Sequence, residues 1–268
     1  MKKIIITTLL IALFAAIMIT ITGCASSPKK WDECTKASCW NGSNANQRMM
    51  NMLSPHMPDD VFKSYINWQK KDRKCNTVHL ILANKSDGEF ANYTIYGPNW
   101  DWTVDGNYVN TMLKRLEKLQ DEGFGIVLWL ITDDSTVYAR EMHKNPQQYI
   151  TDLANMGFFK YASTVVLGLE MDEYMSTTQV DNLYNALKSR YNGKIGVHHT
   201  GGKYSFVNWG DIIFVQINPT SNQTTIINAV NAAKKYGKPI NFFEFQRFPD
   251  RAGSEAALKA GAFGVGNW

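Results

Sequence analysis

The hydrophobic residues of this chain form short apolar runs, which alternate with segments whose hydrophobic residues recur at helical spacing. The runs are rich in Val, Ile, Leu and Phe without strict alternation, which is typical of strands buried on both faces of a parallel sheet. The sequence predicts strands over 36–41, 77–84, 125–132, 164–170, 194–199, 211–217, 239–245 and 262–267, and helices over 58–72, 106–122, 146–162, 177–191, 222–236 and 254–260.

This alternation predicts an α/β fold with a single domain, a closed (β/α)8 TIM barrel over residues 35–268. A doubly wound open sheet is the alternative, although such a sheet usually carries a glycine-rich phosphate loop after its first strand and none is present here. The connection 199–210, between the fifth and sixth predicted strands, is too short for a full helix.

The start of the chain predicts a targeting segment rather than part of the fold. Two lysines precede the apolar run 4–21, and the letters ITGC that end at Cys24 form a lipobox, the cleavage and lipidation site of bacterial lipoproteins. We expect a lipoprotein signal peptide over 1–23, lipid on Cys24 as the membrane anchor, and a tether over 24–34. The protein would then lie in the bacterial cell envelope, at the outer membrane if the host has one. An uncleaved transmembrane anchor is the alternative.

Charge and cysteine content narrow the remaining possibilities. The net charge of +4 falls to about +2 once residues 1–23 are removed, because they hold two lysines and no acid. A nearly neutral chain lacks the basic stripe of a nucleic-acid-binding protein, so we expect no nucleic-acid partner. With Cys24 lipidated, one disulfide is expected among Cys34, Cys39 and Cys75, and the sequence leaves its pairing open. We expect no cofactor.

Polar and aromatic residues gather where the predicted strands end. In a TIM barrel these carboxyl ends meet at one mouth and form the active site. The residues at the eight strand ends, in chain order, are Trp40 and Asn41, Asn84 and Lys85, Asp133 and Asp134, Glu170 and Asp172, His198 and His199, Gln216 and Asn218, Glu244 and Gln246, and Asn267 and Trp268. Asp133 and Asp134 have a second interpretation, as caps of a following helix.

Two of these strand ends carry a glutamate that could do acid–base chemistry. The fourth and seventh strands of an eight-stranded ring lie on roughly opposite sides, so Glu170 and Glu244 could face each other across the mouth. Two such carboxylates can cleave a glycosidic bond, one as proton donor and the other as nucleophile. Period-two spacing puts Asp172 on the same strand face as Glu170, which makes Asp172 the closest competitor for the acid role.

A barrel in which glutamates close the fourth and seventh strands resembles the retaining glycoside hydrolases of clan A. The resemblance implies that Glu170 is the acid/base, that Glu244 is the nucleophile, and that Trp268 is a sugar platform. Clan members usually carry asparagine before the acid/base, where this chain has Leu169, and Lys85 is the nearest basic residue to the end of the second strand.

The sequence therefore predicts a glycosidase that acts on a polysaccharide or an oligosaccharide. The residues expected to bind or support the glycan are Asp172, His198, Gln216, Asn84, Trp40 and Trp268. Adjacent residues of a strand face opposite ways, so we expect only one of His198 and His199 to enter the barrel.

Two alternatives to this function stay open. The first is a non-catalytic, glycan-binding surface lipoprotein on the same scaffold. The second is a metal-dependent hydrolase in which one of His198 and His199 joins Asp172 or Asp134, although we predict no metal site.

Overall fold

The protein is a closed barrel of eight parallel strands. A computed structural model describes residues 38–39, 51–71, 76–86, 88–132, 136–200, 204–216, 222–243 and 251–267. The strands pair in sequence order, and the first closes the ring by pairing with the eighth. They are β1 (Ser38–Cys39), β2 (Thr77–Ile81), β3 (Gly125–Trp129), β4 (Thr164–Val166), β5 (Lys194–Thr200), β6 (Ile212–Gln216), β7 (Ile240–Phe243) and β8 (Gly264–Asn267). The predicted TIM barrel is confirmed.

Helices connect these strands on the outside of the barrel. They are α1 (Asp59–Lys71), α2 (Gly106–Asp121), α3 (Thr136–Lys144), α4 (Pro146–Asn155), α5 (Met171–Tyr174), α6 (Thr177–Lys188), α7 (Gln223–Lys234) and α8 (Arg251–Ala260). Side-chain caps explain several of their starts. Asp105 accepts from backbone N–H groups at the start of α2, and Ser176 and Gln179 form a capping box at the start of α6.

The sequence-based prediction was wrong in two of the connections. The helix predicted over 146–162 ends at Asn155, because Gly157 adopts a left-handed conformation (φ 83°) and a short 3-10 helix, Phe158–Tyr161, follows. A further helix, α3, lies between β3 and α4 where none was predicted.

Side chains from alternate strand positions fill the interior of the barrel, as is usual for this fold. Their apolar members are Ile81, Val127, Trp129, Val166, Leu169, Ile212 and Phe214. The Phe214 ring occupies the space beside Gly196 on β5, where a Cβ atom would lie 2.5 Å from the ring. Glycine at this position is therefore a requirement of the packing.

The connection between β5 and β6 has no α-helix among its described residues, as its length predicted. It contains a 3-10 helix, Val207–Trp209, and two of its aromatic side chains reach the neighbouring helices. Trp209 donates its indole N–H to Asp181 of α6, and the Tyr204 hydroxyl donates to the carbonyl of Ala229 on α7. Aromatic side chains thus cover this part of the sheet.

A buried arginine fixes the segment before α1. The guanidinium of Arg115, on α2, donates to the backbone carbonyls of Met52, Ser54 and Met57. It lies 3.5 Å from a carboxylate oxygen of Asp59 and is only 4% exposed. Because three carbonyls accept from one guanidinium, these hydrogen bonds hold the segment 51–57 against α2.

None of the helices within the described ranges has the length and apolar character that crossing a bilayer needs. The predicted signal peptide 1–23, tether 24–34 and lipid site Cys24 lie outside those ranges. The possible disulfide is also outside them, because the side chains of its candidate cysteines are not described.

Candidate active site

Glu170 stands at the carboxyl end of β4, at the point where the chain leaves the barrel wall. Beyond Val166 the backbone stays beside its neighbours, since Leu167 N–H donates to the carbonyl of Gly196 and Leu169 N–H to that of Ile131. Glu170 then adopts a left-handed conformation (φ 45°, ψ 37°), and the single helical turn α5 begins at the next residue. Non-glycine residues rarely adopt this conformation unless their surroundings impose it.

The sequence-based prediction that Glu170 and Asp172 share a strand face was wrong. The strand β4 ends at Val166, and Asp172 belongs to the helical turn α5. Period-two spacing applies only while the strand continues, so it could not be extended across residues 167–172.

The side chains of β5 and β6 hold Glu170 at two points. Its backbone N–H donates to Nδ1 of His198 at 2.7 Å. Its carboxylate oxygen Oε1 accepts from the Gln216 side-chain amide at 2.5 Å. The fold therefore brings together three residues that the sequence had marked as site candidates.

His198 lies inside the barrel and is fully buried. Burial lowers its pKa well below the ordinary value, with smaller contributions from His199 and His79, so the imidazole is neutral at neutral pH. The ring of Trp129 meets His198 edge to face, with ring centres 5.2 Å apart. Trp129 in turn donates its indole N–H to Nδ1 of His79, which is also fully buried.

Sequence reasoning missed Trp129 and His79 as neighbours of the site. A histidine at an inward position of an otherwise apolar strand was the available signal, because a buried polar side chain needs a partner. The sequence alone could not name Trp129 as that partner.

Asp172 faces the end of β5. Its carboxylate accepts from the backbone N–H of Thr200 at 3.0 and 3.1 Å, and the Thr200 hydroxyl lies 3.3 Å away. Burial raises the pKa of Asp172, and the hydrogen bonds from Thr200 partly oppose that effect. The neighbouring Glu173 is exposed, and its carboxylate accepts from the Thr200 hydroxyl at 3.0 Å.

Asn84 was expected to bind substrate, but the structure favours a structural role for it. The residue is 1% exposed, and its side-chain amide donates to Oδ1 of Asn51 at 2.6 Å. Its backbone forms an antiparallel bridge with Tyr93. Asn84 therefore joins the segment before α1 to the loop after β2.

His199 points out of the barrel, away from His198, in agreement with the expected alternation. Its Nε2 atom accepts from the backbone N–H of Phe206, and its ring packs beside Tyr204. Burial lowers the pKa of His199 to about 4. This histidine supports the connection between β5 and β6.

The described tryptophans of the loops differ in exposure: Trp100 is buried, whereas Trp102 and Trp209 are partly exposed. Trp100 is 2% exposed and lies among the rings of Tyr96, Tyr138 and Tyr149. Trp209 is tied to α6 through its indole N–H. Trp100 therefore offers no flat surface on which a sugar could stack.

Four of the predicted site residues lie outside the described part of the chain: Glu244, Trp40, Trp268 and Cys24. Their assigned roles stay predictions. Within the described ranges, no group of three or more His, Cys, Asp and Glu side chains is placed to hold a metal ion.

Solved structures with a similar barrel fold include several glycoside hydrolases. A glycoside hydrolase family 5 structure from Bacteroides vulgatus ATCC 8482 aligns with 87% of this chain and 57% of its own, with 17% identity and a TM-score of 0.58. A GH113 β-1,4-mannanase aligns with 87% of this chain and 86% of its own, with 12% identity and a TM-score of 0.54. The exo-β-1,4-mannosidase Op5Man5 from Opitutaceae bacterium strain TAV5 aligns with 87% of this chain and 51% of its own, with 15% identity and a TM-score of 0.59.

These likenesses show a shared fold, and at that level they confirm the resemblance to clan A glycoside hydrolases. The chain spans little more than half the length of the family 5 protein and of the exo-mannosidase. No protein-family model matches the sequence, and no curated protein matches it.

Proposed function

We propose that this protein is a glycoside hydrolase and that Glu170 is its proton donor. The observation that carries the proposal is the placement of Glu170 at the carboxyl end of β4, with its carboxylate bonded to Gln216 and its backbone to His198. A carboxyl group held at the mouth of a barrel of glycosidase type is in the place where this chemistry occurs on the fold.

The reaction we propose proceeds with retention and uses two glutamates. Glu170 protonates the glycosidic oxygen while Glu244 attacks the anomeric carbon, which gives a covalent glycosyl-enzyme and releases the leaving sugar. Glu170 then takes a proton from a water molecule, which attacks the anomeric carbon and frees Glu244. The role of Glu244 rests on the sequence, where it directly follows β7, and on the resemblance to clan A.

The substrate we propose is a glycan of β-1,4-linked hexoses. Two of the proteins with similar barrels are named as a β-1,4-mannanase and an exo-β-1,4-mannosidase. Gln216 would keep one carboxylate oxygen of Glu170 in place while the sugar binds, and Asp172 lies two residues further along the chain, in the helical turn α5.

Hydrolysis of manno- and cello-oligosaccharides by the wild-type protein and by Glu170→Gln tests the proposal. General acid–base catalysis contributes about 10²–10⁴-fold, so the variant should lose that much in kcat while it still binds the sugar. Glu173→Gln is the matched control, because Glu173 is an exposed glutamate of the same helical turn. Equal losses in both variants, or undiminished turnover by Glu170→Gln, would contradict the assignment.

The stereochemistry of the product tests the retaining mechanism separately. Proton NMR during early hydrolysis should show the β-anomer first, because two displacements at the anomeric carbon restore its configuration. Glu244→Ala should be inactive on natural glycans and should form a glycosyl azide when azide and an activated aryl glycoside are supplied. First appearance of the α-anomer would instead mean inversion.

A non-catalytic, glycan-binding protein is the second candidate, and one observation favours it. The residue before Glu170 is Leu169, which is 2% exposed and packs against the apolar side chains inside the barrel. A buried leucine cannot donate a hydrogen bond to a sugar hydroxyl, as an amide side chain could. Sugar binding without turnover, unchanged in Glu170→Gln, would establish this candidate.

We also propose that the protein is anchored in the bacterial cell envelope by lipid on Cys24. The support is the lipobox that ends at this cysteine after the apolar run 4–21. Cells that express Cys24→Ala should accumulate an uncleaved precursor that takes up no radioactive palmitate. Unchanged processing of the variant would refute the anchor.

A further inference from the structure

Glu170 keeps a backbone conformation that its own sequence does not favour. Of the described non-glycine residues with positive φ, it alone lies outside the segment 90–102. It occupies the N-cap position of α5 without any side-chain capping hydrogen bond. Something other than local sequence must therefore hold this residue in place.

The contact that holds it is the hydrogen bond from its backbone N–H to Nδ1 of His198. An imidazole nitrogen that accepts a hydrogen bond carries no proton, so the proton of neutral His198 must lie on Nε2. The contact thus requires one tautomer of one buried ring.

Two further rings fix the orientation of that imidazole. The indole of Trp129 lies perpendicular to His198, at an interplanar angle of 87°, and its N–H group is bonded to His79 at 3.1 Å. These rings come from β2, β3 and β5, which are rigid parts of the barrel wall. The left-handed conformation of Glu170 is therefore imposed from the barrel interior.

We propose that His198 is a positioning residue for Glu170: by accepting the backbone N–H of Glu170 through Nδ1, it sets the direction in which the carboxylate leaves the chain. This inference rests on the proposed function only in naming Glu170 as the proton donor. Gln216 holds the carboxylate itself, so the two contacts fix different parts of the residue.

Nitrogen-15 NMR of the imidazoles and of the Glu170 amide tests the contact without any substrate. We expect His198 to show an unprotonated Nδ1 and a protonated Nε2 from pH 8 to pH 6, and we expect slow hydrogen exchange at the Glu170 amide. A proton on Nδ1, or an amide that exchanges as fast as in an unfolded peptide, would overturn the proposal whether or not the protein hydrolyses glycans.

Substitutions at position 198 test the consequence for turnover. His198→Leu removes the acceptor at similar volume, whereas His198→Asn keeps an acceptor oxygen close to the position of Nδ1. Misplacement by about 1 Å can cost about 10²-fold, so kcat should fall by about that factor in His198→Leu, with little change in KM, and should largely recover in His198→Asn. The apparent pKa that the kcat–pH profile gives for the proton donor should also shift in His198→Leu.

His199→Leu is the matched control for these variants. His199 is adjacent on β5, is fully buried and also accepts a backbone N–H, but its partner is Phe206 outside the barrel. The His199→Leu variant should have a lower free energy of unfolding than the wild type, but its kcat and its pH profile should be unchanged. Equal losses of kcat in His199→Leu and His198→Leu, or no recovery in His198→Asn, would show that His198 contributes to packing and does not position Glu170.

If the NMR result holds and neither the wild-type protein nor any variant hydrolyses a glycan, the proposed function fails while the positioning contact stands.

Discussion

Buried histidines should make this protein sensitive to mild acid. His79, His198 and His199 are all fully buried, and burial lowers the pKa of each. In the unfolded chain each has an ordinary pKa of about 6.5. Below that pH these histidines bind protons in the unfolded state but not in the folded state, so the free energy of unfolding falls as the pH falls.

The magnitude follows from proton linkage. At pH 5.5 an unfolded histidine carries about 0.9 proton, and the folded protein carries almost none at these three sites. Between pH 7.5 and pH 5.5 each histidine then removes about 1.3 kcal/mol from the free energy of unfolding, and the three together about 4 kcal/mol. The partly buried His143, whose pKa burial lowers to about 4, adds to this loss. Domains are usually stable by only about 5–15 kcal/mol, so this loss is large.

Urea denaturation at pH 7.5, 6.5 and 5.5, followed by tryptophan fluorescence, measures this loss. The range stops at pH 5.5 so that ion-paired carboxylates such as Glu122, whose pKa lies at about 2, remain charged. Asp172 has a raised pKa and acts in the opposite direction, because the folded state binds its proton first. Asp172→Asn removes that opposing effect.

His199→Gln provides the internal control, because an amide oxygen can still accept the N–H of Phe206 but does not titrate. Its free energy of unfolding should depend less on pH than that of the wild type, by about 1.3 kcal/mol over the same range. The Asp172→Asn variant keeps all the buried histidines. If its free energy of unfolding falls by less than about 1 kcal/mol between pH 7.5 and pH 5.5, the buried imidazoles are not neutral and the reasoning is refuted.

Three other substitutions have expected effects on the free energy of unfolding in urea. Gly196→Ala should lower it by about 1–3 kcal/mol, because the new methyl group meets the Phe214 ring; an unchanged value would mean that the ring moves freely. Arg115→Met should lower it by about 3 kcal/mol, since three carbonyls lose their donor; a loss below about 1 kcal/mol would show that water replaces the guanidinium. Glu170→Gly should be more stable than Glu170→Ala by about 1 kcal/mol because glycine adopts positive φ readily, and the reverse order would contradict the left-handed conformation.

The fold could be predicted from the sequence because its strands are strongly marked. Each predicted strand contains an observed one or differs from it by a residue, since runs of β-branched and aliphatic residues between glycines and polar loops allow few other interpretations. The helix α3 escaped prediction because a barrel usually has one helix after each strand, and α4 already filled that place.

The candidate site could be predicted only in part. The sequence marked Glu170, His198 and Gln216 because polar groups at strand ends meet at one mouth, and the structure joins them by hydrogen bonds. It misplaced Asp172, because the end of a strand depends on the hydrogen-bond ladder and not on residue alternation. The expected substrate role of Asn84 stays a prediction, and the sequence could not show that Asn51, 33 residues earlier, reaches its amide.

The side chains that fill the barrel also set the depth of any binding pocket. Leu169, Trp129 and Phe214 belong to one buried apolar cluster inside the barrel, and Leu169 directly precedes Glu170, so the interior next to this glutamate is filled with side chains. A ligand of the proposed site would therefore lie above this cluster and contact the loops that follow the strands. If the proposed function holds, exchanging those loops would change which glycan is bound, while the buried cluster and Glu170 stay as they are.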